Sequence, residues 1–195
     1  MSHRIARRSL LLMLPLATGC RPHLYQWHGS PYSTPAAAPD LVLTDTSGQP
    51  FDFAQARGPA ILIYFGYSDC PDVYPATAAD AAWLMTEANP LADHLTFVTV
   101  DPRRDTLEII RRFLDAFDTR FIGLTGTEAE REATRPAYGG NAEVDPSSDP
   151  QAHLITHTAR RSLVDSTGLL VTSNPVGAPR PELLADLPRV LEPIQ

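Results

Sequence analysis

One stretch, Ile61 to Pro75 (ILIYFGYSDCPDVYP), constrains what this chain can fold into more than any other. Ala60 to Phe65 is an apolar run rich in branched and aromatic residues that stops at Gly66, and Cys70, Pro71, Asp72, Tyr74 and Pro75 follow at once. The order predicts a buried strand, a tight loop carrying a thiol, and a helix with Pro75 in its first turn, where a missing N–H does no harm. A cysteine at such a corner sits where backbone amides and the helix dipole favour a thiolate. Cys70 is therefore a candidate for redox or metal chemistry, against the plainer reading of a small buried apolar residue.

The first twenty residues stand apart from the fold. Arg4, Arg7 and Arg8 precede a short apolar run, Ser9 to Ala17, that ends in Leu16-Ala17-Thr18-Gly19-Cys20. The run is too short to span a bilayer, and small residues before a cysteine match a bacterial lipoprotein signal, with residues 1–19 removed and Cys20 taking the lipid. An ordinary signal peptide is the competing reading, because the usual leucine three residues before the cysteine is here Ala17. Residues 20–39, rich in Pro, Ser and Ala, read as the tether, within which His23 and His28 are linker polarity rather than ligands. The folded domain is expected over 40–195, on the periplasmic side of a bacterial envelope.

Loss of the signal removes three arginines and no acid, taking the formal charge from −7 to −10, which argues against a nucleic-acid partner. With Cys20 lipidated, Cys70 is the one remaining thiol of two cysteines, and no intramolecular disulfide can form.

Along the domain, Leu41 to Phe53 with Asp45-Thr46-Ser47-Gly48 reads as a hairpin, and Pro75 to Asn89 as a helix with Trp83 and Met85 in the core. Leu95 to Val100 reads as a buried strand. Asp105 and Glu108 form a capping pattern before Ile109, Ile110, Phe113, Leu114 and Phe117, which recur at helical spacing, and Asp101 and Arg104 belong to the same turn. Phe121 to Leu124 is a short strand, and Thr127 with Glu130 a capping box for a helix ending before Pro136. Tyr138 to Gln151 is a loop or insertion. Ile155 to Val164 and Leu169 to Thr172 form a hairpin around Asp165-Ser166-Thr167-Gly168, and Pro181 to Leu191 is a last helix that Pro188 should kink or shorten. A hairpin, alternating strands and helices, then a hairpin and a helix define an α/β domain. The economical fit is a thioredoxin-like three-layer α/β/α fold with a mixed central sheet and an N-terminal β-hairpin.

The segments YFGYSDCPDVYP, FVTVDPRRDT, FDTRFIGLTGT and ITHTARRSLVDSTG resemble, in content and order, the successive blocks of the Sco/SenC family of membrane-tethered copper chaperones. The resemblance covers about Asp40 to Leu191. It implies a thioredoxin-like fold, copper bound by two cysteines of a C-x-x-x-C loop and a distant histidine, and a role in assembling the binuclear copper centre of cytochrome c oxidase. By position the first cysteine is Cys70 and the histidine is His157, which spacing alone would leave as a structural histidine. The second cysteine position holds Tyr74.

Copper(I) selects thiolate and accepts imidazole, whereas a phenol of pKa ~10 is a hard, protonated oxygen. The expectation is a weakened half-site of Cys70 and His157 for Cu(I) rather than Cu(II), with Asp72, Tyr74 or His153 as auxiliary groups. The implied partner is a respiratory oxidase subunit or another copper or thiol assembly protein. The resemblance points to a chaperone rather than an enzyme. Two alternatives from other classes stand beside it: a single-cysteine thiol-disulfide reductase or peroxidase with Cys70 as the catalytic thiol, and a metal-free interaction module. Tyr67 and Ile63 occupy the positions where a peroxidase pattern places Thr or Ser and Pro, which argues against the peroxidase.

Overall fold

The computed structural model describes residues 25–51, 53, 60–70, 74–87, 94–145 and 155–191. Its centre is the expected strand β3 (Ala60–Gly66), buried along its whole length. Because strand side chains alternate, Ala60, Leu62 and Tyr64 face one core and Ile61, Ile63 and Phe65 the other. A continuous apolar run is what a strand covered on both faces requires.

In chain order the described elements are β1 (Ser30–Ala37), β2 (Thr44–Asp45), β3, α1 (Tyr74–Glu87), β4 (His94–Thr99), α2 (Leu107–Asp115), β5 (Ile122–Thr125) and α3 (Glu128–Thr134). A 3-10 turn (Arg135–Tyr138), β6 (Ala142–Val144), β7 (Ile155–His157), β8 (Arg160–Asp165), β9 (Leu169–Pro175) and α4 (Arg180–Leu191) complete them. Seven strands make a mixed sheet in the order β1-β9-β8-β3-β4-β5-β2, and β6 pairs with β7 in a separate ribbon. Strands β3, β4 and β5 run parallel; β8 pairs antiparallel with β3, β9 with β8, and β1 with β9.

Helices α1, α2 and α4 cover one face through Ala78, Ala81, Leu84, Met85, Ile110, Leu114, Leu183, Leu187 and Val190. The other face is closed by Leu41, Leu43, Phe53, Tyr138 and Ile155, with α3 held there by Arg131, whose Nη1 donates to the Val100 carbonyl at 3.0 Å. The result is the thioredoxin-like α/β/α arrangement that the element order predicts.

Two turns share one chemistry. Asp45 Oδ1 accepts from the amides of Ser47 and Gln49 and the Ser47 hydroxyl, and Asp165 Oδ1 accepts from the amides of Thr167 and Leu169 and the Thr167 hydroxyl. Gly48 (φ 81°) and Gly168 (φ 84°) take the left-handed position of each. The capping box at Thr127 and Glu130 forms as expected.

Several expectations need correction. Ser30–Ala37, read as tether, is an edge strand whose register shifts between Pro31 and Ala36; prolines, which cannot donate to a ladder, are tolerated at an edge. Ile155 to Val164 is two strands, because the chain leaves β7 at Thr158 to join the main sheet as β8. Helix α4 is not shortened: it continues through the exposed Pro188. Met85 is core, but Trp83 is only partly buried, under the Arg180 guanidinium at 5.3 Å. The cap of α2 is Thr106, which accepts from the Ile109 amide. Asp105 has another task.

Candidate metal centre

Strand β3 ends where the Gly66 carbonyl accepts from the Val100 amide at 2.7 Å, and the chain turns at once, the Cys70 amide donating to the Tyr67 carbonyl at 3.3 Å. This turn is pinned from the side. Asp105, 1% exposed, accepts from the Ser68 amide (3.1 Å to Oδ2), the Ser68 hydroxyl and the Thr99 hydroxyl (2.6 Å). Burial pushes its carboxyl up, Asp101 nearby adds to this, and the bonds from Ser68 and Thr99 oppose it. Arg104 pairs with Asp101 through Nε and with Asp69 at 3.5 Å, and lies over the Tyr67 ring, 5.3 Å from its centroid.

Cys70 is half-buried and packs against both hydrophobic clusters, so it closes the end of the sheet between the two layers. His157, also half-buried, is the last residue of β7 and pairs in register with Ala142 of β6. The two come together around Tyr64 and Tyr67. The His157 ring meets Tyr64 edge-on at 6.0 Å and Tyr67 edge-on at 5.7 Å. Cys70 packs against the clusters that hold Tyr64 and Tyr67, and its sulfur helps to raise both hydroxyls, after burial. Burial first, and the Cys70 sulfur next, push the Tyr67 hydroxyl up.

Burial lowers the His157 imidazole below its ordinary value, partly offset by backbone groups of Thr158 and Phe65. Its ring is thus neutral at neutral pH, and Nδ1 is buried with no hydrogen-bond partner. A neutral imidazole with one uncommitted nitrogen next to a thiol is a donor pair suited to a soft metal. Among the described residues no cluster of three or more His, Cys, Asp or Glu occurs.

Of the other expected site residues, Tyr74 opens α1, while Asp72, His153 and the lipidation residue Cys20 lie outside the described residues, as does His23. His28 is bound elsewhere, on Asp186. Sequence reasoning missed Tyr64, Tyr67, Ser68 and Thr99 as site residues and read Asp105 as a cap. The available signal was a conflict: a buried strand followed by DPRRDT offers two candidate caps, Asp105 and Thr106, and only one is needed.

Fold and site define a thioredoxin-like domain that presents a cysteine and a histidine at one end of its sheet. The SCO1/SenC family model matches residues 30–192, and the chain belongs to that family. Among its relatives, the SCO2-like protein of Rickettsia prowazekii (strain Madrid E) is 30% identical over 171 residues, spanning 86% of this chain and 83% of that protein. The mitochondrial SCO2 homolog of Homo sapiens is 30% identical over 134 residues, 67% of this chain and 50% of that protein. Among solved structures, apo Sco1 from Thermus thermophilus superposes with a TM-score of 0.75 at 25% identity, covering 86% of this chain and 99% of that one. Bradyrhizobium japonicum ScoI with copper bound gives 0.67 at 30% identity, covering 80% and 99%. Yeast Sco1 with copper bound gives 0.72 at 25%, covering 83% and 91%.

Proposed function

We propose that this chain is a lipid-anchored Sco protein of the bacterial envelope that carries Cu(I) on Cys70 and His157 toward assembly of the copper centre of cytochrome c oxidase. The observation that carries the reading is that Cys70 and His157 flank the same two tyrosines, with His157 Nδ1 buried and unpartnered. Two of the similar structures are copper-bound, which supports copper as the cargo.

The chemistry follows from the donors. The Cys70 thiolate supplies the soft ligand and neutral His157 the second, and burial of the ring keeps a proton from competing with the metal near neutral pH. Tyr74 stands where a second thiolate would, so the site holds copper less tightly and leaves coordination positions open to thiols or imidazoles of an acceptor. An open, weak site favours handing a metal on over keeping it. Export with lipid on Cys20 would place the domain on the membrane face where the oxidase centre is built.

Titration of the mature domain with Cu(I) against a competing chelator tests the reading. Wild type should bind one equivalent, and Cys70→Ser and His157→Ala should each lose at least tenfold in affinity, about 1.4 kcal/mol. Equal, negligible binding by wild type and Cys70→Ser would remove the metal role.

A further inference from the structure

Tyr25 to Gly29, expected as tether, is fastened to α4. Asp186, fully buried, accepts from the Tyr25 hydroxyl at 2.9 Å and from the amides of His28 (3.1 Å) and Gly29 (2.9 Å), and the same hydroxyl lies 3.0 Å from the Ala185 carbonyl. Three donors on one buried carboxylate fix where the chain enters the domain. Around this clasp Tyr25 meets Trp27 edge-on at 5.1 Å, the Arg189 guanidinium lies over the Tyr25 ring at 5.5 Å, and at the start of α4 Arg180 lies over Trp83 at 5.3 Å. Both tryptophans of the chain therefore flank α4, each partly buried, beside two exposed arginines. The clasp also lies at the metal end of the sheet. Tyr64 is opposite Arg161 and Arg161 opposite Asn174, and a Cβ on Gly29 would come within 2.6 Å of Asn174 Nδ2. In the order β1-β9-β8-β3 this sets Gly29 three strand spacings, about 14 Å, from Tyr64, whose ring meets His157.

We propose that the α4 corner formed by Tyr25, Trp27, Trp83, Arg180 and Arg189 is a membrane-facing surface, seated on the headgroups of the bilayer that holds the lipid of Cys20. The inference rests on the reading of Cys20 as the lipid-bearing residue. Tyr25 is five residues beyond Cys20. Fully extended, that length reaches about 18 Å, so the point where the chain enters the domain stays near the headgroups. The side chains suit the place, since Trp and Tyr rings settle at headgroup level and arginine is drawn to anionic lipid. The mature chain, with a formal charge of −10 once the three arginines of the signal are removed from −7, is otherwise repelled by the same anionic surface. That difference favours one orientation over free rotation on the tether. Copper on Cys70 and His157 is then carried close above the bilayer, toward an acceptor whose ligands lie at the membrane surface.

Quenching of tryptophan fluorescence by lipid reads the orientation. The lipidated mature chain is placed in phosphatidylethanolamine and phosphatidylglycerol vesicles that contain a lipid with a nitroxide on its headgroup. Trp83→Phe leaves Trp27 as the reporter, and Trp27→Phe leaves Trp83. Val42→Trp, with both native tryptophans replaced by Phe, reports from an exposed position just before β2, at the opposite edge of the sheet. Quenching of Trp27 and of Trp83 should each exceed that of the Val42→Trp reporter by roughly twofold or more. Trp83 is the stricter probe, because it belongs to α1 and approaches the lipid only if the clasp holds the corner down. Equal quenching of Trp83 and the Val42→Trp reporter would overturn the inference, since the domain would then turn freely on its tether and leave the corner to a protein partner. Absence of lipid on Cys20, read by mass spectrometry of the N-terminal peptide, would instead strike the anchoring reading. The orientation is still tested in that case, because a Cys70→Ser chain coupled through Cys20 to a maleimide lipid brings the same five-residue tether to the same vesicles.

Discussion

The Asp105 carboxylate grips Ser68 by both its amide and its hydroxyl, across 37 residues of sequence, while taking a third hydrogen bond from Thr99. One buried acid thus ties the loop before Cys70 to the end of β4 and the entry to α2. Asparagine has the same shape but only one accepting oxygen, and its amide would face donors. Asp105→Asn should lower unfolding stability by about 1–3 kcal/mol and raise hydrogen exchange at Ser68, with urea unfolding and amide exchange as the measurements. An unchanged exchange rate at Ser68 would mean the loop is held by something else.

Gly123 of β5 lies under α2, where an added Cβ would overlap Ile110 and Leu114 side chains and Thr46. The close approach of this helix to its strand requires the glycine. Gly123→Ala should destabilise by about 1–3 kcal/mol through overpacking, read by chemical denaturation.

Beside the β1 edge of the sheet, Asp186 of α4 is fully buried and accepts from the Tyr25 hydroxyl (2.9 Å), the His28 amide (3.1 Å) and the Gly29 amide (2.9 Å), with His28 Nδ1 at 3.0 Å. Burial pushes this carboxyl up, but the bonds from Gly29, His28 and Tyr25 together outweigh it and hold it below the ordinary range. Burial, then the bond to Asp186, push Tyr25 up to about 12. The signs are opposite. The Asp186 contribution is present above about pH 4 and is lost as pH falls through the lowered folded value, whereas the Tyr25 contribution is present below about pH 10 and is lost as pH rises toward the folded value. Thermal melts across pH should show both declines. Tyr25→Phe should remove the alkaline one alone, and Asp186→Ala, which strands the His28 and Gly29 amides, should cost about 1–3 kcal/mol at neutral pH.

Tyr74→Cys offers a test by gain. If the loop keeps the family geometry, a thiolate four residues beyond Cys70 should raise Cu(I) affinity at least tenfold, about 1.4 kcal/mol, by chelator competition. No gain would mean that the start of α1 no longer faces the metal.

Much of the fold was legible because its signals are local. The uniform burial of β3, the Asp45 and Asp165 turns and the Thr127 capping box each depend on residues a few positions apart, where periodicity and turn chemistry act directly. The errors fell where distant partners decide. Ser30–Ala37 lacks a strand pattern, and it becomes a strand only because the β9 edge offers it hydrogen bonds. Asp186 of α4 is buried because amides 157 and 158 positions away come to meet it, which no local pattern announces.

The candidate site divides in the same way. The sequence alone determined that a thiol stands at a strand-to-helix corner, that Tyr74 follows it by four residues, and that the chain carries blocks resembling those of the Sco/SenC family in order. Whether Cys70 has a histidine for company was beyond it, since Cys70 and His157 lie 87 positions apart and no periodicity spans that gap. The tertiary structure sets the His157 ring edge-on to Tyr64 and Tyr67, at the end of the sheet where Cys70 packs. The physical reason is that strand and helix arise from neighbours along the chain, whereas a two-ligand site arises from sheet register, and here β6, β7 and the end of β3 must all be in place before the two side chains share a ring.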